Sequence, residues 1–124
     1  MKAIGLDAIE ISRVAEAIER HGERFLDRVF TDAERAHAAD RGASASQFYA
    51  GRFAAKEAVL KALGTGYAQG LAFHEIEILP GKDGEPRVTL HGAARTRAAL
   101  LGIHTLLVSI SHTRDNAHAV AVGG

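Results

Sequence analysis

Gly51 to Gly66, GRFAAKEAVLKALGTG, reads as the end of a long helix running into a glycine turn. A helix turns about 100° per residue, so residues four apart stack in one row. Phe53, Glu57 and Lys61 form one such row, and Arg52 and Lys56 form a neighbouring one. Ala54, Ala55, Ala58, Val59, Ala62 and Leu63 supply small or apolar surface, enough to bury most of the helix. Glu57 and Lys61 have two readings. As a surface pair one turn apart they are worth about 0.3–0.5 kcal/mol. On a largely buried helix, a carboxylate and an ammonium instead need partners of their own. Gly64-Thr65-Gly66 also has two readings: a helix C-cap, or bare backbone N–H groups that suit an approaching phosphate. Upstream, Ser44-Ala45-Ser46-Gln47 has the form of a capping box, which predicts a helix from Ser46 to Leu63. Arg41-Gly42-Ala43 is the loop before it.

Downstream of this helix the pattern turns to strands. Phe73 to Leu79 alternates, with His74, Ile76 and Ile78 on one side. Pro80 to Gly84 is turn chemistry, and Pro86 to Leu90 returns as the second arm of a hairpin. An alanine-rich helix, Ala93 to Leu101, ends at Gly102. Thr105 to Ser111 and Ala117 to Val122 are two further strands, antiparallel because the turn between them is short. Upstream, Lys2 to Ile11 starts as a strand. Arg13 to Arg20 and Glu23 to Val29 read as helices separated at Gly22, and Ser12 is a candidate N-cap. Thr31-Asp32-Ala33-Glu34 is a capping box opening a helix toward Ala39. These elements predict an α+β fold, an antiparallel sheet packed against the long central helix.

Composition narrows the function. The chain of 124 residues fits one domain, 1–124, with one core. Aromatics are only 6% and Trp is absent, so a core of Ala, Leu, Val and Ile is expected. Alanine fills little volume, and oligomer formation would bury more surface. The formal charge is zero, which argues against a nucleic-acid binder. With no Cys, neither a disulfide framework nor a thiolate metal site is available. No apolar run reaches the roughly 18 residues of a membrane span, and the amino terminus lacks a signal-peptide pattern. A soluble cytoplasmic protein, with no membrane partner, is the expectation.

Charged residues in unusual places carry the chemistry. Asp7 shares its strand face with Gly5 and Ile9. It is either an edge charge against aggregation or a hard-oxygen ligand for Mg²⁺ with Gly5 leaving room beside it. Arg13, Arg20, Arg24 and Arg28 are either a solvated face, balanced by Glu16, Glu19, Glu23 and Asp27, or a surface for an acidic partner. His112, in Ser109-Ile110-Ser111-His112-Thr113, is either an exposed strand-end histidine or a phosphate contact. Ser111 and His112 point to opposite faces, which excludes a direct nucleophile–base pair.

Three stretches in order, Gly5-Leu6-Asp7 with Glu10, Arg52-Phe53-Ala54-Ala55-Lys56-Glu57-Ala58 through Lys61 to Gly64-Thr65-Gly66, and Ser109 to Thr113, resemble the holo-[acyl-carrier-protein] synthase family of 4′-phosphopantetheinyl transferases. The resemblance covers essentially the whole chain. It implies Mg²⁺-dependent transfer of phosphopantetheine from coenzyme A to a serine of apo-acyl carrier protein, releasing adenosine 3′,5′-bisphosphate, in support of fatty acid biosynthesis. It also implies a homotrimer with active sites between protomers. Residue by residue, it implies that Asp7 and Glu57 hold the metal and Lys61 contacts the pyrophosphate. Gly64, Thr65 and Gly66 form the turn at the coenzyme, with Arg52, His112 and Thr113 near the nucleotide's phosphates. Arg13, Arg20, Arg24 and Arg28 meet the carrier protein. Glu57 is the candidate base, acting directly or through a water. Leu6 departs from the hydroxyl residue the family often has there. Two other functions fit the same residues: transfer to a polyketide or peptide synthetase carrier domain, and a carrier-binding module without catalysis.

Overall fold

The computed structural model describes residues 1–64 and 71–124. The chain runs β1 (Ala3–Glu10), α1 (Ile11–His21), α2 (Glu23–Val29), α3 (Asp32–Ala39), α4 (Ala45–Ala62), β2 (Ile76–Pro80), β3 (Pro86–Leu90), α5 (Gly92–Leu100), β4 (Leu106–His112) and β5 (Asn116–Gly123). Among the described residues all strand pairings are antiparallel. They form two sheets, a three-stranded one in the order β1-β5-β4 and the β2-β3 hairpin. The single expected sheet is thus divided, with α4 packed against both.

Small residues bring α4 onto the three-stranded sheet. Register places Gly5, Ala121 and Val108 in one row across it, and Asp7, Ala119 and Ile110 in the next. Cross-strand partners point the same way, so these rows share the face toward α4. The central strand offers only Ala117, Ala119, Ala121 and Gly123 on that face, all buried. A Cβ on Gly5 would overlap the Ala58 carbonyl oxygen and lie 2.8 Å from the Ala62 nitrogen. The space Gly5 leaves is therefore filled by the backbone of α4, not by room for a ligand beside Asp7. Gly51 plays the matching part on the helix, where a Cβ would stand 2.7 Å from His112 Nε2 and 3.1 Å from Ile110 Cγ2.

The other side of α4 departs from the expected aliphatic core. Phe25, Phe30, Phe48, Phe53, Phe73 and Tyr49 form one chain of ring contacts, with centroids 4.6–6.3 Å apart. Few aromatics suffice because they are gathered in one place. Local signals fared unequally. Thr31 and Glu34 form the reciprocal capping box, Thr31 Oγ1 accepting from Glu34 N at 3.2 Å and Glu34 Oε1 from Thr31 N at 2.9 Å. The second box does not form: Ser44 Oγ donates to the Arg41 carbonyl at 2.9 Å, and a 3₁₀ turn, Gly42–Ser44, leads into α4. Ser12 lies inside α1, whose cap position is Glu10, without a side-chain cap bond. Phe73–Glu75 is a 3₁₀ turn and not strand, because the Glu75 carboxylate accepts from Ala72 N and Ala93 N. Gly22, at φ +53°, breaks α1 from α2, so the four arginines are not one continuous stripe. Among the described residues no helix is long and apolar enough to cross a membrane.

Candidate active site

Asp7 and α4 meet where β1 approaches its last two turns. Phe53, Glu57 and Lys61, the row expected from helical spacing, all line a single cleft of about 610 Å³ together with Asp7. Lys61 Nζ donates to Asp7 Oδ1 at 3.0 Å and to the Leu6 carbonyl at 2.9 Å. The Asp7 side chain is 17% exposed and that of Lys61 54%, so the pair sits at the boundary of solvent. An ion pair that wet contributes about 0.2–1 kcal/mol. It leaves Lys61 able to exchange Asp7 for another anion. The cleft's wall is apolar, formed by Phe53 stacked on Phe25 at 6.3 Å between centroids.

Two carboxylates on rigid elements are a hard-oxygen donor set. Mg²⁺ keeps several waters and is commonly held by one or two carboxylates plus substrate phosphates. Asp7 and Glu57 on one cleft fit that mode. Among the described residues no group of three or more His, Cys, Asp or Glu forms a protein cage.

Of the other expected site residues, Arg13 reaches this cleft and the rest of those described fall elsewhere. Arg13, in the first turn of α1, lines the same cleft as the acids, and so do Glu10 and Asn116, which sequence reasoning did not place there. Arg24 and Arg28 border a separate depression with His21 and Asp27, and Arg20 is exposed near the end of α1. His112 does not line the cleft; its Nε2 lies 3.1 Å from the Gln47 carbonyl, beside the first turns of α4. Arg52 is buried, its guanidinium 4.3 Å from the Phe48 ring centroid and its Nε donating to the Ile78 carbonyl at 3.4 Å. Desolvation draws its pKa below the usual arginine value, with Arg41 nearby adding to the effect. Thr113 closes the β4–β5 turn, accepting from Asn116 N at 3.1 Å. Gly64 follows α4 at φ +75°, where a left-handed cap favours glycine. Thr65 and Gly66 lie outside the described residues.

Lys56, read from spacing only as sharing a row with Arg52, has a role that spacing did not suggest. It is fully buried against Glu34, with Nζ–Oε1 at 2.8 Å. Burial draws its pKa below the usual lysine value, while Glu34 pulls in the opposite sense.

The family model of the 4′-phosphopantetheinyl transferase superfamily matches residues 3–122. A holo-[acyl-carrier-protein] synthase of Solidesulfovibrio magneticus is 50% identical over 122 residues, covering 98% of this chain and 97% of that protein. Among solved structures, the Helicobacter pylori holo-[acyl-carrier-protein] synthase in complex with coenzyme A superposes with a TM-score of 0.85 at 33% identity, over 98% of this chain and 99% of that one. The Neisseria meningitidis synthase gives 0.87 at 29% identity, over 100% and 98%. With the cleft's residues in the same order as the motifs that suggested the family, the chain belongs to the 4′-phosphopantetheinyl transferase superfamily.

Proposed function

We infer that this chain transfers 4′-phosphopantetheine from coenzyme A to a serine of apo-acyl carrier protein, giving the holo-carrier and adenosine 3′,5′-bisphosphate, and so serves fatty acid biosynthesis in the cytoplasm. The observation that carries this reading is the convergence of Asp7, Glu57 and Lys61 on one cleft. The relatives named above, one of them with coenzyme A bound, support the substrate. The reaction is displacement at phosphorus by a hydroxyl, which needs alignment and charge neutralisation more than covalent help. Asp7 and Glu57 would hold Mg²⁺, which when bound supplies positive charge to the pyrophosphate. Lys61 leaves Asp7 and donates to the phosphate oxygens of the departing bisphosphate. Glu57 takes the serine proton, directly or through a water. Phe25 and Phe53 exclude water from one wall of the cleft. Arg13 at the cleft, with Arg20, Arg24 and Arg28 along α1 and α2, presents positive charge to an acidic carrier protein.

The active form in this reading is a homotrimer with sites between protomers. Two observations support it. Ile4, Leu6 and Leu107 are 61%, 66% and 66% exposed on the sheet face turned away from α4. Register puts Ile4, Val122 and Leu107 in one row and Leu6 beside Val120 in the next, a contiguous apolar surface that wants a partner. In addition, His112 lies off the cleft of its own chain, at the end of β4 on the exposed rim of the sheet, consistent with a neighbour's His112 and Thr113 serving the nucleotide. Light scattering should give the trimer mass; a monomer would overturn this assembly.

Mass spectrometry of apo-acyl carrier protein after incubation with the chain, coenzyme A and Mg²⁺, beside a matched EDTA sample, tests the reaction. A phosphopantetheine-sized gain that EDTA abolishes is expected. A gain that survives EDTA overturns the metal role of Asp7 and Glu57. No gain from folded protein overturns the transfer.

A further inference from the structure

The most buried charges of the molecule are not in the cleft. Lys56 and Glu34 are both 0% exposed, and every ammonium proton of the one and both carboxylate oxygens of the other have partners. The Lys56 ammonium has three protons. They go to Glu34 Oε1, to the Phe73 carbonyl at 3.1 Å and to the Ile76 carbonyl. The Glu34 carboxylate also accepts from Thr31 N at 2.9 Å and from Ile78 N at 2.7 Å. Two side chains thus join the start of α3, the middle of α4, the 3₁₀ turn and β2.

Stability alone does not explain the pair. Desolvating two ions is costly, and well-packed apolar residues of similar volume often stabilise as much or more. What apolar residues lack is direction. An ammonium with fixed acceptors sets the rotation and height of the helix that carries it. Lys56 is the neighbour of Glu57, so a fixed rotation of the helix at Lys56 also fixes the direction in which the Glu57 Cα–Cβ bond leaves it. The acceptor Phe73 is on the segment that leads into β2, and its ring packs on Phe53 at 5.2 Å between centroids. Phe53 is the cleft's wall.

We propose that Lys56 and Glu34 are a positioning pair: their buried contact holds the segment Phe73 to Ile76 on α4 and so sets both the aromatic wall of the cleft and the aim of Glu57. The proposal rests on the transferase reading of that cleft. Neither residue touches substrate; both act through Glu57, Phe53 and Phe73.

The test is the double variant Lys56→Met/Glu34→Gln. It removes both charges, keeps the volume and leaves a carbonyl oxygen to accept from Ile78 N. The unfolding temperature should stay close to the parent's, while kcat falls about tenfold or more with KM for coenzyme A changed far less, because misaiming a catalytic group costs rate before binding. Amide exchange at Phe73 to Ile78 should quicken about tenfold, with β1, β4 and β5 unchanged. A double variant that recovers kcat along with stability overturns the proposal, as does unaltered exchange at Phe73 to Ile78. If the double variant does not fold, Glu34→Gln alone carries the same test, and parent-like kcat in it overturns the proposal. A folded parent that transfers nothing fails the transferase reading instead. The exchange comparison, made on the protein without substrates, still decides whether the pair holds the segment.

Discussion

Lys56 and Lys61 stand on the same helix, yet one has no exposure and the other is 54% exposed. The difference comes from which row of α4 each occupies. Arg52 and Lys56 donate to the carbonyls of Ile78 and Ile76. One step along that row advances about 6 Å on the helix. Two residues back along β2 cover about 6.7 Å, so the helix's basic row keeps step with the strand's carbonyls. The row of Phe53, Glu57 and Lys61 opens on the cleft, where Lys61 reaches the Leu6 carbonyl of β1. The same residue type therefore serves geometry in one row and chemistry in the other. Its partners tell them apart: three fixed acceptors for Lys56, a single boundary carboxylate and one carbonyl for Lys61.

The sharpest way to break that contrast is to truncate both lysines. Lys56→Ala strands a buried carboxylate and should cost about 3–5 kcal/mol in chemical denaturation. Lys61→Ala should cost less than about 1 kcal/mol while transfer drops. Equal losses of stability would erase the distinction between the rows. Within the cleft row, Glu57→Gln keeps shape and loses charge. Transfer should fall at least about a hundredfold, with an unfolding curve near the parent's. Near-normal turnover would remove the metal and base roles of Glu57 together.

The rows themselves were legible because helical spacing is fixed, and the alanines around them announced burial. The motif residues Asp7, Glu57 and Lys61 line one cleft. Which row faced the interior was not legible, since both carry basic side chains and the choice depends on where β2 packs. Glu34 illustrates the same limit. Its capping role is local and was read from Thr31-Asp32-Ala33-Glu34, but its pairing with Lys56 joins positions far apart in the chain. Glu10 and Asn116 reach the cleft because β1 and β5 pair end to end, Glu10 opposite Asn116, a register that no local pattern specifies. Arg52 carried the right motif position and an uninformative charge; only the Phe48 ring and the Ile78 carbonyl reveal that its guanidinium is turned inward.

Gly5 tests how the cleft row is brought to Asp7. Any side chain there meets the α4 backbone at Ala58 and Ala62, which cannot rotate away. Gly5→Ala should therefore cost about 1–3 kcal/mol, as overpacking does. It should also lower transfer, because pushing β1 off α4 moves Asp7 from Glu57 and Lys61. Loss of stability with transfer untouched would mean that the two carboxylates need no close register.

The smallest expected effects separate two serine/threonine caps that look alike in sequence. Thr31 Oγ1 accepts from Glu34 N and donates to Glu77 Oε2 at 2.6 Å, so it caps α3 at the residue whose carboxylate holds Lys56 and ties that cap to β2. Thr31→Ala should cost about 1–2 kcal/mol. Ser44 is exposed and bonds only back to Arg41, before a helix entered through a 3₁₀ turn. Ser44→Ala should stay within about 0.5 kcal/mol of the parent. The comparison bears on the buried row as well. If Thr31→Ala lowers transfer in proportion to the loosening of Glu34, while Ser44→Ala does not, the support for Glu57 extends from Lys56 through Glu34 to the cap of α3. If both substitutions leave transfer alone, the support ends at the ion pair, and Thr31 serves only the helix it begins.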